Sequence, residues 1–521
     1  MAALLLGSVP AAAQFSYDAA QVSGKELNGT ARFVGMGGAM SALGGDLSVM
    51  RSNPAGIGIY RSHDLALSFG FNNTRNSATF NEVNMTQNRN RASFDQVGFV
   101  YSNHIGNKTA LRFVNFGFNY HKSKNFNKLF NMGGNLGGTS QTFQMAEMTN
   151  AISDFSSSGF GANDYTALIG HDNPYTDRTW DDVSTLTKMG VRTGLVEWSN
   201  ADNKAISWLG KSNEYNSREE GGISEYDFTA AFNVSDRFYF GVDLGVYDLN
   251  YTKSSLYLED LLTDDMASDN GGYQMKNYFR AEGTGIDLKL GAIIRPFEYS
   301  PFRIGLAVHT PTWYNVTYSY SSRIDSSIPL VDNGANLYQD TYDALGRNFV
   351  YDYQIRTPWV FNASLGTTFS GVVAVGAEYE YQNYSTCRFA DVNGVEFLDS
   401  THEIENNLQG VHTVRLGIES SPVAGLSVRA GYNYSTAAFK DEAYKYMAYY
   451  ETRTDTEYNN TKALNTVTVG LGYRWKMLYA DFAYKYDIYK SDFRPFDDVQ
   501  LPVTKVDNER HQVLFTLGAR F

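Results

Sequence analysis

The sequence has 521 residues, with 37 Tyr, 33 Phe and 47 Gly but only 11 Pro and a single Cys, Cys387. The formal net charge of −13 and the lack of a basic stripe argue against nucleic acid as a partner. One cysteine excludes an intramolecular disulfide and a cysteine-based metal site. The composition favours one large all-β unit, because aromatic residues favour strands and glycine marks turns.

Residues 1–13 predict a signal peptide. Residues 3–9 give a short apolar core, and Ala11, Ala12 and Ala13 give a cleavage site of small residues. A buried N-terminal helix is the alternative, but Pro10 and the alanine run suit cleavage better. We therefore expect an exported protein whose mature chain begins at Gln14.

Residues 14–61 predict a compact segment that is not strand-like. Glycine lets a backbone turn tightly in a narrow space, and an Asn-Pro pair near the end of the segment starts a turn. A phosphate-binding loop is disfavoured because no Lys-Ser or Lys-Thr pair follows the glycines. The residues expected to shape this segment are Gly35, Gly37, Gly38, Asn53, Pro54 and Ala55.

Hydrophobic alternation with period two dominates the rest of the chain. From Phe238 to Val246 every second residue is apolar, which in a strand places the apolar set on one face. Fourteen such stretches occur, at residues 62–73, 92–103, 109–120, 222–233, 236–251, 273–295, 300–321, 349–369, 371–387, 408–420, 425–438, 463–474, 477–490 and 508–521.

The connections between these stretches alternate between tight turns and long loops. The long ones are residues 74–91, 121–221, 252–272, 322–348, 388–407, 439–462 and 491–507. A transmembrane barrel keeps its turns on one side and its loops on the other, whereas a soluble sandwich has no reason to do so. The sequence therefore predicts an all-β fold, a 14-stranded antiparallel transmembrane β-barrel over residues 62–521.

Charged residues on the inward faces fix the phase of the strands, because charges on the lipid face are costly at mid-bilayer. Five acids balance five bases, so we expect a filled or plugged interior and not an ion filter of one sign. The inward residues are Asp243, Asp287, Glu378, Glu380, Asp481, Lys289, Arg415, Arg429, Lys485 and Arg520.

The loop at residues 121–221 is too long to be structureless in a compact fold. Its apolar segments predict short helices that cap the barrel mouth. Six of its side chains are candidates for capturing an apolar ligand, although they would equally serve as the core of a folded loop. They are Phe126, Phe130, Phe143, Met145, Met148 and Phe155.

The last stretch alternates through Val513, Phe515, Leu517 and Ala519 and ends on Phe521. A terminal aromatic residue on such a strand resembles the signal that the barrel-assembly machinery of the outer membrane recognises. We therefore expect that machinery and the lipid bilayer as partners, in the outer membrane of a Gram-negative cell.

Three features together resemble the FadL/TodX family of outer-membrane transporters. They are the glycine-rich residues 35–46 with the Ser52-Asn53-Pro54-Ala55-Gly56 stretch, the fourteen strands, and the terminal Phe521. The resemblance implies that residues 14–61 fold inside the barrel as a hatch. It also implies passive uptake of long-chain fatty acids or other hydrophobic molecules, captured on the outer side and released through the wall or the lumen.

A kinked third strand that opens the barrel wall belongs to that family. In residues 109–120 the apolar residues change from odd to even positions near Val114 and Asn115. This change predicts a β-bulge, and Gly117 would ease the bend. A regular strand with a few inward aromatic residues is the alternative.

A ligand carboxylate calls for arginine, which binds it through two parallel hydrogen bonds. The candidates are Arg112, Arg415 and Arg429.

Two other functions stay open. One is a barrel without transport, such as a haem-binding surface protein or a component of a secretion machine. The other is an enzyme, which is disfavoured because the sequence has neither a Gly-x-Ser-x-Gly elbow between strand and helix nor a His-Glu-x-x-His zinc helix. We accordingly expect no cofactor and no metal.

Overall fold

The protein is described by a computed structural model for residues 15–155, 159–262, 271–328, 330–332, 335–337, 340–342 and 349–521. The expected signal peptide, residues 1–13, and Gln14 lie outside these residues. Within the described ranges, no helix has the length and apolar content needed to cross a bilayer.

The described residues form fourteen long barrel strands, each antiparallel to its neighbours. β1 pairs with β14 from Asp64 opposite Arg520 to Thr79 opposite Lys505, so the sheet closes on itself and the predicted fold class is confirmed. The strands are β1 (Asp64–Phe80), β2 (Val83–His104), β3 (Leu111–Asn125, continued by Lys128–Gly138), β4 (Leu209–Val234), β5 (Phe238–Leu262), β6 (Gly272–Ile294), β7 (Arg303–His309 and Trp313–Ser326), β8 (Phe349–Arg356 and Val360–Phe369), β9 (Val373–Asn383, continued by Arg388–Ala390), β10 (Gly410–Val423), β11 (Leu426–Ser435), β12 (Tyr458–Trp475), β13 (Leu478–Arg494) and β14 (Thr504–Arg520).

Short helices occur in the N-terminal segment and in the loops. They are α1 (Ser16–Ser23), α2 (Ala31–Gly35), α3 (Gln141–Phe155), α4 (Ala162–Gly170), α5 (Thr185–Arg192) and α6 (Leu398–Asn407), with 3₁₀ turns at Leu47–Arg51, Pro54–Ile59, Arg178–Trp180 and Tyr384–Thr386. Helices α3 to α5 and a hairpin of Val196–Ser199 with Lys204–Ser207 form a cap over the long-loop end of the barrel. The long loop therefore carries short helices, as its apolar segments predict.

Alternation separates a lipid-facing belt from the lumen. On β5, Phe238, Phe240 and Leu244 are exposed, whereas Tyr239 and Asp243 between them are buried. All fourteen strands repeat this pattern, which is that of a transmembrane barrel.

The ten predicted inward charges all lie on the lumen side, where ion pairs and hydrogen bonds hold them. The ammonium of Lys289, for example, lies 2.7 Å from Glu225 and 2.9 Å from Asp243.

Several strands extend well past the lipid belt at the long-loop end. Residues 74–91 are mostly a continuation of the β1–β2 hairpin, and β5 runs on to Leu262. The predicted loops 74–91 and 252–272 are therefore longer than the observed connections, because the flanking strands extend into them. Outside lipid both faces of a hairpin are wet, so polar residues replace the alternation that marks a membrane strand.

The bulge predicted at Val114 and Asn115 is wrong. β3 pairs with β2 in unbroken register from Phe113 to His121, and Asn115 and Gly117 both face the lumen. The register shifts occur at Arg112 and at Ser123, where β3 pairs with β4. The apolar residues change from odd to even positions because Asn115 and Gly117, at odd positions, face the lumen. The strand itself has no extra residue there.

The N-terminal segment lies inside the barrel. α2 packs against β11 to β14, whereas the turn Pro54–Ile59 packs against β3 to β6 on the other side of the lumen. Val34, Met40 and Met50 are almost fully buried between these walls. The structure thus places residues 15–60 as a plug.

The plug backbone touches the wall backbone along a row of glycines. A side chain on Gly376 would collide with the carbonyl oxygen of Ala39, and one on Gly37 of the plug would lie 3.0 Å from Leu416 and Tyr432. Gly37 also has a φ of +62°, which favours glycine. The wall glycines of this row, which are partners across β8 to β11, are Gly366, Gly376, Gly417 and Gly431.

Gly376→Val should displace the plug, because the new side chain occupies the space of the Ala39 carbonyl. We expect higher single-channel conductance in planar bilayers and faster proteolysis within residues 15–60. Ala377→Val is the matched control, since Ala377 is the lipid-facing neighbour of Gly376. Equal conductance of the two variants would contradict the close backbone packing.

Candidate functional site

A chamber of about 490 Å³ lies inside the barrel above the plug. Phe33 and Arg51 of the plug lie below it, α1 lies along one side, and the inner faces of β3, β9, β10 and β13 contribute to its walls. Residues 440–457, here called the strap, run without regular secondary structure and close it toward the long-loop end. Small-molecule sites typically occupy roughly 300–1,000 Å³, so the chamber has the size of a ligand site.

The strap is clamped to α1. The Phe15 ring lies between the ammonium of Lys445, at 4.2 Å, and the guanidinium of Arg453, at 4.8 Å. Arg453 also forms an ion pair with Asp18 and a second one with Asp455 at 2.7 Å. These groups are buried, and removal of one partner from a buried ion pair strongly destabilises a protein, because the other charge is left uncompensated. The roof of the chamber therefore depends on contacts of the N-terminal segment.

Most charged side chains around the chamber are paired. Arg415 lies 2.6 Å from Glu378 and 3.1 Å from Glu380. Arg510 is paired with Glu26 of the plug and with Asp487 at 3.3 Å. Such pairs neutralise the lining and leave little net charge for a ligand.

Two of the lysines that line the chamber, Lys124 and Lys128, are not paired with an acid. Among the residues that the structure describes, no carboxylate lies within 4 Å of either ammonium. Lys124 donates to the carbonyl of Gln21 and stands 5.6 Å from the centre of the Phe126 ring, and Lys128 stands 5.3 Å from that of Phe130. One face of β3 and its continuation thus offers the chamber two aromatic rings and two ammonium groups without acid partners.

The six predicted capture residues divide into three groups. Phe126 and Phe130 line the chamber. Met145 and Met148 are buried in the core of the cap, and Phe143 and Phe155 are exposed to 44% and 70% on its surface. The apolar residues of α3 therefore fold the cap, and only the pair on β3 reaches the chamber.

The three candidate arginines have different surroundings. Arg415 lines the chamber but its guanidinium is already bound by two glutamates. Arg429 is buried between Glu419 and Asp481, away from the chamber, and Arg112 donates to the carbonyl of Asn107 at the short-turn end. None of the three offers an unpaired guanidinium to the chamber.

The third strand predicted from the sequence ends at residue 120, so the prediction does not include Lys124 and Lys128. The signal was present: Lys124, Phe126, Lys128 and Phe130 alternate with period two and share one face.

The Asn-Pro-Ala residues of the predicted hatch are buried against the wall. The Asn53 carboxamide accepts a hydrogen bond from the Ala55 amide at 3.1 Å and donates to the Ala292 carbonyl of β6 at 3.3 Å. Asn53 thereby caps the turn Pro54–Ile59 and ties it to the barrel.

A buried polar cluster lies in the wall beside the plug. His121, Glu225 and Asp227 place one ligand atom each within 4.8 Å of one another, close enough to hold a metal ion. The Lys289 ammonium already bonds the two carboxylates from the other side, at 2.7 Å for Glu225. Because Lys289 compensates their charge, the cluster serves as an internal ion network.

Two buried carboxyls of the roof have raised pKa values. Burial raises the pKa of Glu451 on the strap to about 8 and that of Glu403 on α6 to about 7. Glu451 accepts hydrogen bonds from the amides of Thr452 and Arg453, and Glu403 accepts one from the hydroxyl of Ser16 on α1. The Glu403 carboxyl thus joins α6 to α1, whereas the hydrogen bonds of the Glu451 carboxyl stay within the strap.

This geometry defines a closed transmembrane barrel with an internal plug and a chamber above it. The solved structure of a FadL homologue from Pseudomonas aeruginosa superposes with a TM-score of 0.50 at 11% identity, covering 95% of this chain and 99% of that chain. The toluene transporters TodX of Pseudomonas putida and TbuX of Ralstonia pickettii cover the same shares, at 12% and 14% identity with TM-scores of 0.48 and 0.45. No protein-family model and no curated protein matches the sequence. The chain therefore has the fold of the FadL/TodX barrels, as the sequence resemblance predicts.

The roof should loosen as pH rises. The raised pKa of Glu451 favours the protonated carboxyl in the folded state, so its contribution is fully present below the ordinary carboxyl range and is lost as pH approaches about 8. Hydrogen exchange of strap amides, corrected for intrinsic rates, should show falling protection from about pH 5 to about pH 9.

Glu451→Gln keeps a neutral hydrogen-bond acceptor that does not titrate. It should therefore reduce the pH dependence of the protection of the strap amides. Glu442→Gln, on an exposed strap residue, should leave it unchanged. Identical pH profiles for the wild type and Glu451→Gln would contradict the assignment.

Proposed function

We propose that the chain is an outer-membrane channel for passive uptake of hydrophobic small molecules such as long-chain fatty acids. The observation that carries this proposal is the chamber: it lies inside a transmembrane barrel and combines aromatic rings with two ammonium groups that have no described carboxylate within 4 Å. The fold shared with the FadL homologue supports the same conclusion.

In this proposal the ligand enters from the cell exterior between the strap and the cap. Transfer of its apolar part from water supplies the driving force, at about 0.8 kcal/mol per buried CH₂. Its arrival displaces the contacts of α1 with the strap, and the N-terminal segment then shifts. The plug blocks a straight axial path, so the ligand leaves through the wall or after plug movement. The signal peptide and the terminal Phe521 bring the chain to the outer membrane through the assembly machinery.

The chamber favours an amphipathic anion over a neutral hydrocarbon. Desolvated ammonium groups attract a carboxylate more strongly than water-exposed ones, because the effective dielectric constant is lower inside a protein. Phe126 and Phe130 lie between and beside Lys124 and Lys128, so one molecule can meet a ring and an ammonium together. A long-chain carboxylate fits this lining, because its apolar chain can pack on the rings and its carboxylate can bind an ammonium group.

Phe126→Ala and Phe130→Ala should each weaken binding of oleate to the detergent-solubilised protein about tenfold, corresponding to about 1.4 kcal/mol. The lost ring area explains the change, and titration calorimetry measures it. Phe143→Ala is the matched control, because Phe143 is exposed on the cap and does not line the chamber. Equal affinities for all three variants would refute the chamber as the binding site.

Lys128→Gln should weaken oleate binding and leave toluene binding nearly unchanged, since only oleate carries a charge for the ammonium to bind. Arg429→Gln is a poor comparison because Arg429 is buried in ion pairs with Glu419 and Asp481. Lys490→Gln, on an exposed lysine of β13, serves as the control. A parallel loss of both ligands would overturn the preference for an anion.

Growth of cells on oleate separates uptake from a binding or scaffold role. Cells that lack their own long-chain fatty acid channel should regain oleate uptake when they express this chain. Tight binding of oleate without regained uptake would favour a barrel that does not transport.

A further inference from the structure

Three neighbouring strands each carry an arginine at the short-turn end of the barrel. Phe238 of β5 and Ile304 of β7 are both cross-strand partners of Ile294 of β6. The next residue of the chain toward the short turns is an arginine in all three cases. Since neighbouring strands lie about 4.8 Å apart, three positively charged side chains follow one another along the rim. These residues, here called the arginine row, are Arg237, Arg295 and Arg303.

No acid of the described ranges neutralises the arginine row, because none has a carboxylate within 4 Å of its guanidinium groups. The acid next to the row in sequence, Asp236, is paired with Arg61 at 2.9 Å. Glu298, on the turn between β6 and β7, is exposed to water. Like charges at neighbouring positions of a sheet repel each other, and Arg295 acts on Arg303 in this way. The row therefore keeps a positive charge that the described side chains do not compensate.

Backbone carbonyls hold the guanidinium groups of the row in place. Arg237 donates a hydrogen bond to the carbonyl of Pro296 at 3.1 Å. Arg295 donates to the carbonyls of Asp236 at 3.1 Å and Ser300 at 3.3 Å. A carbonyl oxygen carries no net charge, so these bonds fix the orientation of the guanidinium groups and leave their positive charge.

Two of the three guanidinium groups keep a terminal nitrogen for a further partner. Nη2 of Arg237 and Nη1 of Arg303 donate to backbone carbonyls, in the second case to that of Leu43 in the plug. The other terminal nitrogen of each group is not buried and makes no hydrogen bond to a residue that the structure describes. Guanidinium groups bind phosphate oxygens through directed hydrogen bonds and always stay charged. The row thus offers oriented donors to an oxyanion.

The arginine row lies at the edge of the lipid belt. Phe238 and Ile304, one residue further into the membrane, are 38% and 36% exposed on the lipid-facing side. Beyond the row, Phe297 and Tyr299 of the turn between β6 and β7 are 61% and 96% exposed. Tyrosine is typical of the membrane–water interface. The row is therefore at the depth of the lipid headgroups.

The short-turn end as a whole is basic, although the net charge of the chain is −13. Residues 61–63 and the short connections between strands carry five cationic side chains and two acidic ones. Basic residues beside a membrane surface attract anionic lipids, so this charge suits a negatively charged membrane surface. The five cationic residues are Arg61, Lys108, Arg237, Arg295 and Lys476, and the two acids are Asp236 and Glu298.

We propose that the arginine row binds the phosphate group of an anionic phospholipid at the membrane surface on the short-turn side. Phosphate oxygens accept hydrogen bonds from the available nitrogens of Arg237 and Arg303, and the acyl chains lie against Phe238 and Ile304. A dissolved phosphate ion would meet the same nitrogens but has no chain to pack on these apolar side chains. The site is separate from the chamber and requires only the transmembrane barrel, not the proposed uptake.

Native mass spectrometry of the detergent-solubilised full chain with added phosphatidylglycerol tests the site. R237Q with R303Q removes both groups that have an available nitrogen, and we expect about tenfold weaker binding of this lipid. Phosphatidylcholine with the same acyl chains should bind weakly to the unmodified chain, because its headgroup has no net charge. R237K with R303K keeps the charge but loses the planar donor groups, so it should retain only part of the binding. Electrophoretic mobility before and after heating verifies that each variant forms a folded barrel.

The matched control is R474Q. Arg474 is exposed at the same end of the barrel, and its guanidinium also donates to a backbone carbonyl, that of Lys476 at 3.3 Å. This variant should bind phosphatidylglycerol as the unmodified chain does. An equal loss in R474Q would indicate diffuse attraction and overturn the row as a site, as would unchanged binding by R237Q with R303Q.

Inorganic phosphate separates the two sources of the phosphate group. It should not displace phosphatidylglycerol when both are present at the same concentration. Displacement would assign the row to a dissolved anion and overturn the lipid. Oleate uptake by the unmodified chain decides the proposed function separately, and its absence would leave the lipid site standing.

Discussion

The need to satisfy every backbone amide and carbonyl inside the bilayer determines this structure. Lipid offers no hydrogen bonds, so strands can cross it only when the sheet closes, as it does here between β1 and β14. Closure sends every second side chain into the lumen. The interior must therefore accept about as many side chains as the lipid does, and the ion pairs of Arg415 and Arg429 with acids of neighbouring strands are one result.

The plug is the other result. Glycines at the wall let the plug backbone approach the sheet, so main chain and buried apolar side chains of the plug fill the lower lumen. The chamber occurs where this packing stops and the strap begins. Most of the charges in its lining are paired, whereas no described carboxylate lies within 4 Å of the ammonium groups of Lys124 and Lys128, and the proposed preference for anions rests on these two lysines.

Much of the fold could be predicted, because a strand that crosses lipid must place residues such as Phe238 toward the lipid and residues such as Asp243 toward the lumen. This alternation depends only on the lipid and on strand geometry. The ends of β1 and β2 could not, since beyond the belt both faces are polar. The register shifts at Arg112 and Ser123 depend on the pairing with β4, which no single stretch of sequence contains. Of the six residues predicted to capture a ligand, Phe126 and Phe130 line the chamber. The roof could not be predicted, because it joins α1 to a strap more than 400 residues later in the chain.

Thr516 on β14 links the closure of the barrel to the docking of the N-terminal segment. Its hydroxyl accepts a hydrogen bond from the Ala31 amide at 2.7 Å and lies 2.7 Å from the Ser68 hydroxyl of β1. The first strand, the last strand and the docked N-terminal segment thus meet at one atom. Pairing of the two terminal strands and docking of the segment therefore support each other through this hydroxyl, and a barrel without the segment would lose the hydrogen bond from Ala31 beside the closing strand pair.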